Sequence, residues 1–341
     1  MKWFTCKRRP IYVGMVIVLA VVFGLGIWSW WMTMKMPGKS YRGPLPPLSE
    51  DESVLIYTLR QDVETLATDF AQRNLYHYEN LRAAADFLES SFLQAGYEVH
   101  RYGYEVMGKT CENLEVEIIG KDRPEEIVII GAHYDAVEGS PAANDNGSGV
   151  AALLALARAF AGLELPRTLR FVAFVNEEPP FFQNKQMGSH QYAKQCRQQN
   201  RNIIAMISLE TIGYYSDAKG SQHYPFPLNF FYPSTGNFIA FVGNIPSRNL
   251  LRTVIGSFRK HTQFPSEGGA FPGSIPGVGW SDHWSFWQEG YPAIMVTDTA
   301  LFRYPHYHQP TDTPDKIVFD RMARVVYGLH KVIEDLSGLN P

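Results

Sequence analysis

A chain of 341 residues with a formal net charge of −3 carries no strongly basic character, which argues against nucleic acid as a partner. Its hydrophobic fraction of 45% and charged fraction of 19% are those of a folded globular protein, with room for one large core or two modest ones. Three cysteines (Cys6, Cys111 and Cys196) are too few for a disulfide scaffold and lack metal-ligand spacing.

From Ile11 to Met32 no residue is charged, and Val, Ile, Leu, Gly and Trp dominate. As a helix this run is about 33 Å long, enough to cross a hydrocarbon core of about 30 Å. Residues 11–33 are therefore expected to form a single-pass transmembrane signal anchor. Lys2, Lys7, Arg8 and Arg9 precede it, so residues 1–10 are expected in the cytoplasm. Everything beyond would then lie outside it, periplasmic or extracellular. Trp28, Trp30 and Trp31 cluster at the far end, where indoles favour the membrane boundary. A cleaved signal peptide, with Gly24 and Gly26 as a small-x-small site, is the competing reading. Residues 34–51 are rich in Pro and Gly and read as a semi-extended linker, leaving 52–341 as the folded domain.

Within that domain, Val54–Arg73 and Tyr78–Ala95 read as amphipathic helices, the second closed by Gly96. Tyr97–Tyr104 and Asn113–Ile119 have strand character and suit a hairpin at a sheet edge. Ile127–Ala132 is too continuously apolar for a half-exposed strand and reads as one buried on both faces. Gly147–Ala161 follows as a helix with Val150, Leu153, Leu154, Ala157 and Phe160 on one stripe. Leu169–Val175, Ile203–Leu209 and Ala293–Thr297 are further buried strands, and Phe319–Leu336 is a closing helix. The stretch 214–279 reads as irregular, with a helix near Asn249–Lys260. Buried strands alternating with helices predict an α/β three-layer sandwich with a mixed, mostly parallel central sheet flanked by helices, preceded by the N-terminal transmembrane helix. Cys111 and Cys196 either pair, if the domain is exported, or remain two buried thiols.

Ligands of open α/β sheets bind beyond the carboxyl ends of the strands. Those ends here carry His133 and Asp135, then Glu177 and Glu178, then Glu210, with Tyr307 and His308 about ten residues beyond the last strand. Asp145 opens the helix after the first of these strands. So many carboxylates cannot stay ionised together without cations. If Asp145, Glu178 and Glu210 are ligands alongside neutral His133 and His308, two zinc ions and a bridging hydroxide make the inner shell formally neutral. Asp145 is the natural bridge, and Asp135 is placed to hydrogen-bond the His133 imidazole and fix its tautomer.

His133-Tyr134-Asp135, Asn144-Asp145-Asn146-Gly147-Ser148-Gly149, Asn176-Glu177-Glu178, Leu209-Glu210-Thr211-Ile212-Gly213 and Tyr307-His308-Gln309-Pro310-Thr311-Asp312-Thr313 together resemble the co-catalytic zinc aminopeptidase family. Ser281-Asp282-His283 followed by Gly290-Tyr291-Pro292-Ala293 is similar to another stretch of it. Each motif alone is weak, but all occur in family order between Leu81 and Gly328. The resemblance implies a zinc peptidase domain over 52–341, acting on peptides with a free amino terminus. It implies that His133 and Glu210 hold one zinc, Glu178 and His308 the other, and Asp145 both. Glu177 would be the general base, and the Tyr307 hydroxyl would steady the tetrahedral oxyanion. A cis peptide after Asp145 is implied as well. Many members carry Asp where this chain has Glu210.

Asp282 reads as an orienter of a ligand, and His190, His283 and His306 as structural. Phe230, Phe231, Tyr232, Trp280, Trp284 and Trp287 read mostly as core, with some lining a substrate pocket. Asn146-Gly147-Ser148 matches a glycosylation sequon, but its place beside Asp145 argues against modification. Two other readings belong to related proteins. One is a single-zinc glutaminyl cyclase using Asp145, Glu178 and His308. The other is a non-catalytic receptor on the same fold, which would be expected to have lost ligands.

Overall fold

The computed structural model describes residues 8–339, with the side chains of 8–14, 16, 17, 25 and 27 outside the description. Helix α1 (Arg8–Thr33) occupies the segment expected to span a membrane and leaves Val18, Leu19, Val22 and Phe23 exposed. Among the described residues no helix is long and apolar enough to cross a membrane, and several side chains of the expected span lie outside the description. The last turn of α1 and the linker that follows are held along the domain. Arg248 donates to the carbonyls of Trp31 and Met32 at 2.9 and 2.5 Å, and Arg259 donates to Pro37 O at 3.0 Å.

Helix α2 (Glu50–Glu64) begins at a capping box: Ser49 Oγ accepts from Glu52 N, and the Glu52 carboxylate accepts from Ser49 N. Three acids in its first turn complement the helix dipole. The helix expected to reach Arg73 ends early. A widened turn at Thr65–Asp69 lets the chain leave the helix, and Arg73 is drawn into the interior with no exposed surface. Helix α3 (Tyr78–Gln94) stops as expected, with Gly96 at φ 93°.

The next elements are β1 (His100–Val106), β2 (Lys109–Ile118), β3 (Arg123–His133), α4 (Gly149–Phe160) and β4 (Arg167–Phe174). They are followed by α5 (Gly188–Gln198), β5 (Asn202–Glu210), β6 (Ile239–Gly243), α6 (Arg248–His261) and β7 (Ser266–Ala270). Helix α7 (His283–Gln288), β8 (Ala293–Thr297) and α8 (Phe319–Ser337) complete the domain. The sheet runs β1-β2-β4-β3-β5-β8-β6-β7. Strands β4, β3, β5 and β8 are mutually parallel, while the β1–β2 hairpin and the β6–β8 pairing are antiparallel.

Strand period two divides the sheet between two cores. Val128, Ile130 and Ala132 of β3 with Leu169 and Phe171 of β4 face a large cluster shared with α2, α3, α4, α6 and α8. Ile127 and Ile129 with Val172 and Phe174 face a smaller one with Tyr192 of α5 and Phe286 of α7. This is the expected three-layer sandwich. Cys111 sits in the first cluster and Cys196 in the second, both as free buried thiols, so the disulfide alternative falls away.

The stretch expected to be irregular contributes two strands as well as the expected helix. Strand β6 runs against β8, and the glycine-rich β7 (Ser-Glu-Gly-Gly-Ala) pairs beside it. Strand β6 is a short apolar run (Ile-Ala-Phe-Val-Gly) of the kind that marks a buried strand, whereas β7 has no strand-like pattern. Five-residue strands at a sheet edge are stabilised by pairing and by α6 packing beneath them, not by propensity.

Gly149 allows α4 to start hard against β5. A Cβ there would come within 2.5 Å of the Leu209 carbonyl oxygen. Gly149→Ala is expected to destabilise the domain by roughly 1–3 kcal/mol through overpacking, read as a thermal midpoint several degrees lower.

Candidate metal centre

The carboxyl ends of β3, β4 and β5 open at the same end of the sheet, and each delivers acid or imidazole. His133 is the last residue of β3 and has no exposed surface. Glu177 and Glu178 follow β4, and Glu210 ends β5. Tyr307 and His308 arrive on the loop after β8, with His308 at φ 56°. Asp145 lies in the turn before α4, and its peptide bond to Asn146 is cis, as the resemblance implied.

The predicted ligands come together in two sets. His133 Nε2 lies 3.2 Å from Glu210 Oε2 and 3.5 Å from Asp145 Oδ1. His308 Nε2 lies 3.1 Å from Glu178 Oε2 and 3.1 Å from Asp145 Oδ2. In each set the ligand atoms all fall within 4.8 Å of one another, and Asp145 is common to both through different oxygens. His133 Nε2, His308 Nε2, Asp145 Oδ2 and Glu178 Oε1 are buried without a hydrogen-bond partner. Buried polar atoms are ordinarily paired, so this cluster of orphans fits divalent metal ions bound by nitrogen and carboxylate oxygen. Glu177 stands apart from both sets, with Oε2 3.9 Å from His133 Nε2.

A shell of backbone-directed hydrogen bonds holds these groups in place. Asp135 accepts from the amides of Glu177 and Glu178 at 3.0 and 3.1 Å, tying the end of β3 to the end of β4. Its distance of 3.4 Å to His133 Nδ1 is long for the hydrogen bond expected there. Asp312 accepts from the amides of Asn144 and Asp145 and from Tyr304 Oη. Asn146 is fully buried, donating to Leu209 O and accepting from the Gly149 and Thr211 amides, which closes the sequon to modification. Asp282 is buried in the same region, but neither of its oxygens has a hydrogen-bond partner. An orienting contact also comes from its neighbour: Ser281 Oγ donates to Glu210 Oε2 at 2.8 Å and is within 2.8 Å of Ser208 Oγ. Ser281 and Asp312 were legible only as members of motifs, because their roles depend on partners more than sixty residues away.

Charges at this end of the sheet are strongly perturbed. Burial drives the Glu177 carboxyl well above its usual range, reinforced by Glu210, Glu178 and Asp282 and opposed by His133. Burial and then the Asp145 carboxylate raise Glu178 to about 7. For His308 burial disfavours the cation, but Asp145 and Glu178 outweigh it and lift the imidazole to about 10. Burial alone raises Tyr307, and nearby carboxylates add to it, so its phenol stays protonated. The Tyr307 ring stacks on His308 with centroids 3.9 Å apart.

Beside Glu210 and Tyr307 a cavity of about 100 Å³ opens over β8, β6 and β7. Its floor includes Ala240, Val242 and Met295, and its walls are loops carrying Tyr232, Phe271 and Trp280. Of the aromatics expected in the core, Phe230 and Phe231 are instead 71% and 58% exposed. Trp284 and Trp287 are partly buried, and Tyr232 and Trp280 line the cavity. The three histidines expected to be structural stay out of the ligand sets: His190 packs near Trp284, His306 Nδ1 meets Thr311 Oγ1, and His283 Nε2 meets Val278 O.

The family model for peptidase family M28 matches residues 113–333, and the chain belongs to that family. It is 38% identical over 281 residues to the uncharacterized protein YfbL of Escherichia coli K12, covering 80% of this chain and 85% of that one. It is also 24% identical over 302 residues to leucine aminopeptidase 1 of Arthroderma otae, covering 81% and 74%. Among solved structures, the zinc aminopeptidase BSAP of Bacillus subtilis superposes with a TM-score of 0.65 at 13% identity, covering 85% and 96%. A glutaminyl cyclase of Fimbriiglobus ruber superposes at 0.61 and 20% identity, covering 88% and 99%. The fold is thus that of the zinc aminopeptidases and is shared by glutaminyl cyclases. The chain is a peptidase-type hydrolase by family.

His283 generates a pH prediction. Burial lowers its imidazole to about 4, with the Val278 carbonyl opposing. The folded protein therefore refuses a proton that the unfolded chain accepts below about 6.5. Stability from this group is complete above that pH and falls as pH drops toward 4, by at most about 3 kcal/mol. The stability difference between the parent and His283→Gln should shrink over this window in denaturant titrations, whatever the other groups do.

Proposed function

We propose that this chain is a two-zinc aminopeptidase that hydrolyses the first peptide bond of substrates with a free amino terminus. The observation that carries the reading is the division of Asp145, one oxygen toward His133 and Glu210 and the other toward Glu178 and His308. A lone metal would need only one of these sets. Zinc held by them would supply Lewis acidity toward the scissile carbonyl and lower the pKa of a water to about 7.

The chain's own groups do the rest. Glu177 belongs to neither ligand set, and its buried carboxyl has a raised proton affinity. It suits a base that takes a proton from the attacking water and passes it to the departing amine. Asp135 fixes the backbone from which Glu177 projects. Tyr307 remains a protonated phenol beside the ligands and can donate to the oxygen that gains charge. The apolar cavity adjoining Glu210 suits an apolar first side chain, with the peptide leaving toward solvent.

We also infer that residues 11–33 anchor the enzyme as a single pass, with the amino terminus cytoplasmic and the catalytic domain extracytoplasmic. Supporting this are the uncharged run, the basic residues before it and the exposed aliphatic side chains along α1. Full-length protein is expected in the membrane fraction after alkaline wash, and a variant lacking residues 1–33 is expected in the soluble fraction. Equal partitioning of both would refute the anchor.

Two measurements test the enzyme reading. Glu177→Gln should keep the zinc content while lowering kcat by about 10²–10⁴ on an aminoacyl-arylamide. Near-parental turnover would remove Glu177 as the base. Elemental analysis should find two zinc ions per chain, and mass spectrometry of the products should show loss of one residue. One zinc per chain, with loss of ammonia from glutaminyl peptides, would establish a cyclase instead.

A further inference from the structure

Arg73 takes no part in the chemistry described above, yet it is the largest fully buried side chain of the described residues. Among the described residues no carboxylate is hydrogen-bonded to its guanidinium. Nε donates to Tyr134 O at 2.7 Å, Nη1 to Leu66 O at 3.1 Å and Pro141 O at 3.0 Å, and Nη2 to Ala142 O at 2.9 Å. Three of these four carbonyls belong to the segment running from His133 to Asp145. They lie at its two ends, one beside His133 and two just before the turn that presents Asp145. The residues flanking the guanidinium reinforce the clamp, since Ala136 N donates to Arg73 O at 3.0 Å and Asn74 Nδ2 donates to Ala136 O at 3.1 Å.

Burying a guanidinium is costly, and an apolar side chain of similar length would fill the same space at less expense. What an apolar replacement cannot do is join four carbonyls from separate segments, or place positive charge behind an acidic cluster. The acids that act on Arg73 electrostatically are Asp135, Asp312, Asp145 and Glu178, two of them proposed ligands. Burial lowers the guanidinium only to about 10, so it remains a cation at neutral pH.

We propose that Arg73 is a positioning residue for the metal centre, its planar fork setting the separation of His133 from Asp145 and its fixed charge opposing the repulsion among the acids in front of it. Groups that hydrogen-bond metal ligands directly are worth about 10- to 100-fold in metal affinity, and Arg73 acts one step further back, through the backbone on either side of His133 and Asp145. The inference rests on the metal reading of the site, so the test measures the parent first.

Zinc dissociation constants are to be determined by chelator competition on metal-free full-length protein in detergent, for the parent, Arg73→Lys and Arg73→Met. Leu88→Ala, a core truncation in α3, serves as an equally destabilised control, and thermal midpoints are recorded for all four. Arg73→Met should bind zinc at least tenfold more weakly than the parent. Arg73→Lys, which keeps the charge but loses the fork, should fall between them, and Leu88→Ala should bind as the parent does. Should Arg73→Met fail to fold, Arg73→Lys decides, with a severalfold loss supporting the proposal. Parental zinc affinity in Arg73→Lys and in any folded Arg73→Met overturns it, as does an equal loss in Leu88→Ala. A parent that takes up no zinc overturns the reading of the site and this inference with it.

Discussion

Mutual repulsion among buried acids is the constraint on which the rest of this structure depends. Asp135, Asp145, Glu177, Glu178, Glu210 and Asp282 are all buried at one end of the sheet, with little exposed surface to relieve them. A cluster of this kind persists only where something pays for it. Part of the compensation is built into the chain: backbone amides point at Asp135 and Asp312, a hydroxyl points at Glu210, and a guanidinium lies behind the group. The remainder, on the proposed reading, falls to cations between the imidazoles and the carboxylates, where several side-chain atoms lack partners. The parallel strands matter because their carboxyl ends bring residues distant in sequence to one place without any loop having to cross the core.

Strands β3, β4, β5 and β8 were legible because each is a short, continuously apolar run. The acids and histidines just past those runs followed from strand direction alone. Residues whose work is done through distant backbone were much harder to read. Asp312 and Ser281 are ordinary polar residues until the fold sets them against Asn144, Asp145 and Glu210. Arg73 looked like the end of an amphipathic helix, since a buried arginine bonded only to carbonyls carries no local signature. Strand β7, with two adjacent glycines and no branched side chain, exists because β6 lies beside it. Composition gave no warning that Phe230 and Phe231 would point into solvent, for hydrophobicity alone does not separate a core from the rim of a cavity.

The β1–β2 hairpin on one side, and on the other β6 with its parallel partner β7, both running against β8, extend a parallel centre, and their contributions differ. The hairpin lengthens the sheet beyond β4 and supports the Glu177–Glu178 segment from the side. Asn113 of β2 accepts from the Val175 amide and donates to Gly188 O, fixing the chain on either side of that segment. At the opposite edge, β6 and β7 carry no proposed ligand, and they form the floor of the cavity.

That cavity is walled by loops between strands, while two of the proposed ligands, His133 and Glu210, stand on strand ends themselves and Glu177 and Glu178 follow directly on β4. Residues such as Tyr232, Phe271 and Trp280 are therefore free to vary in size without disturbing the registration of His133, Glu178 or Glu210. On the proposed function, selection can retool which residue is recognised independently of how the bond is broken. One scaffold can in this way diversify into many specificities by drift in its loops, with its hydrolytic end left intact.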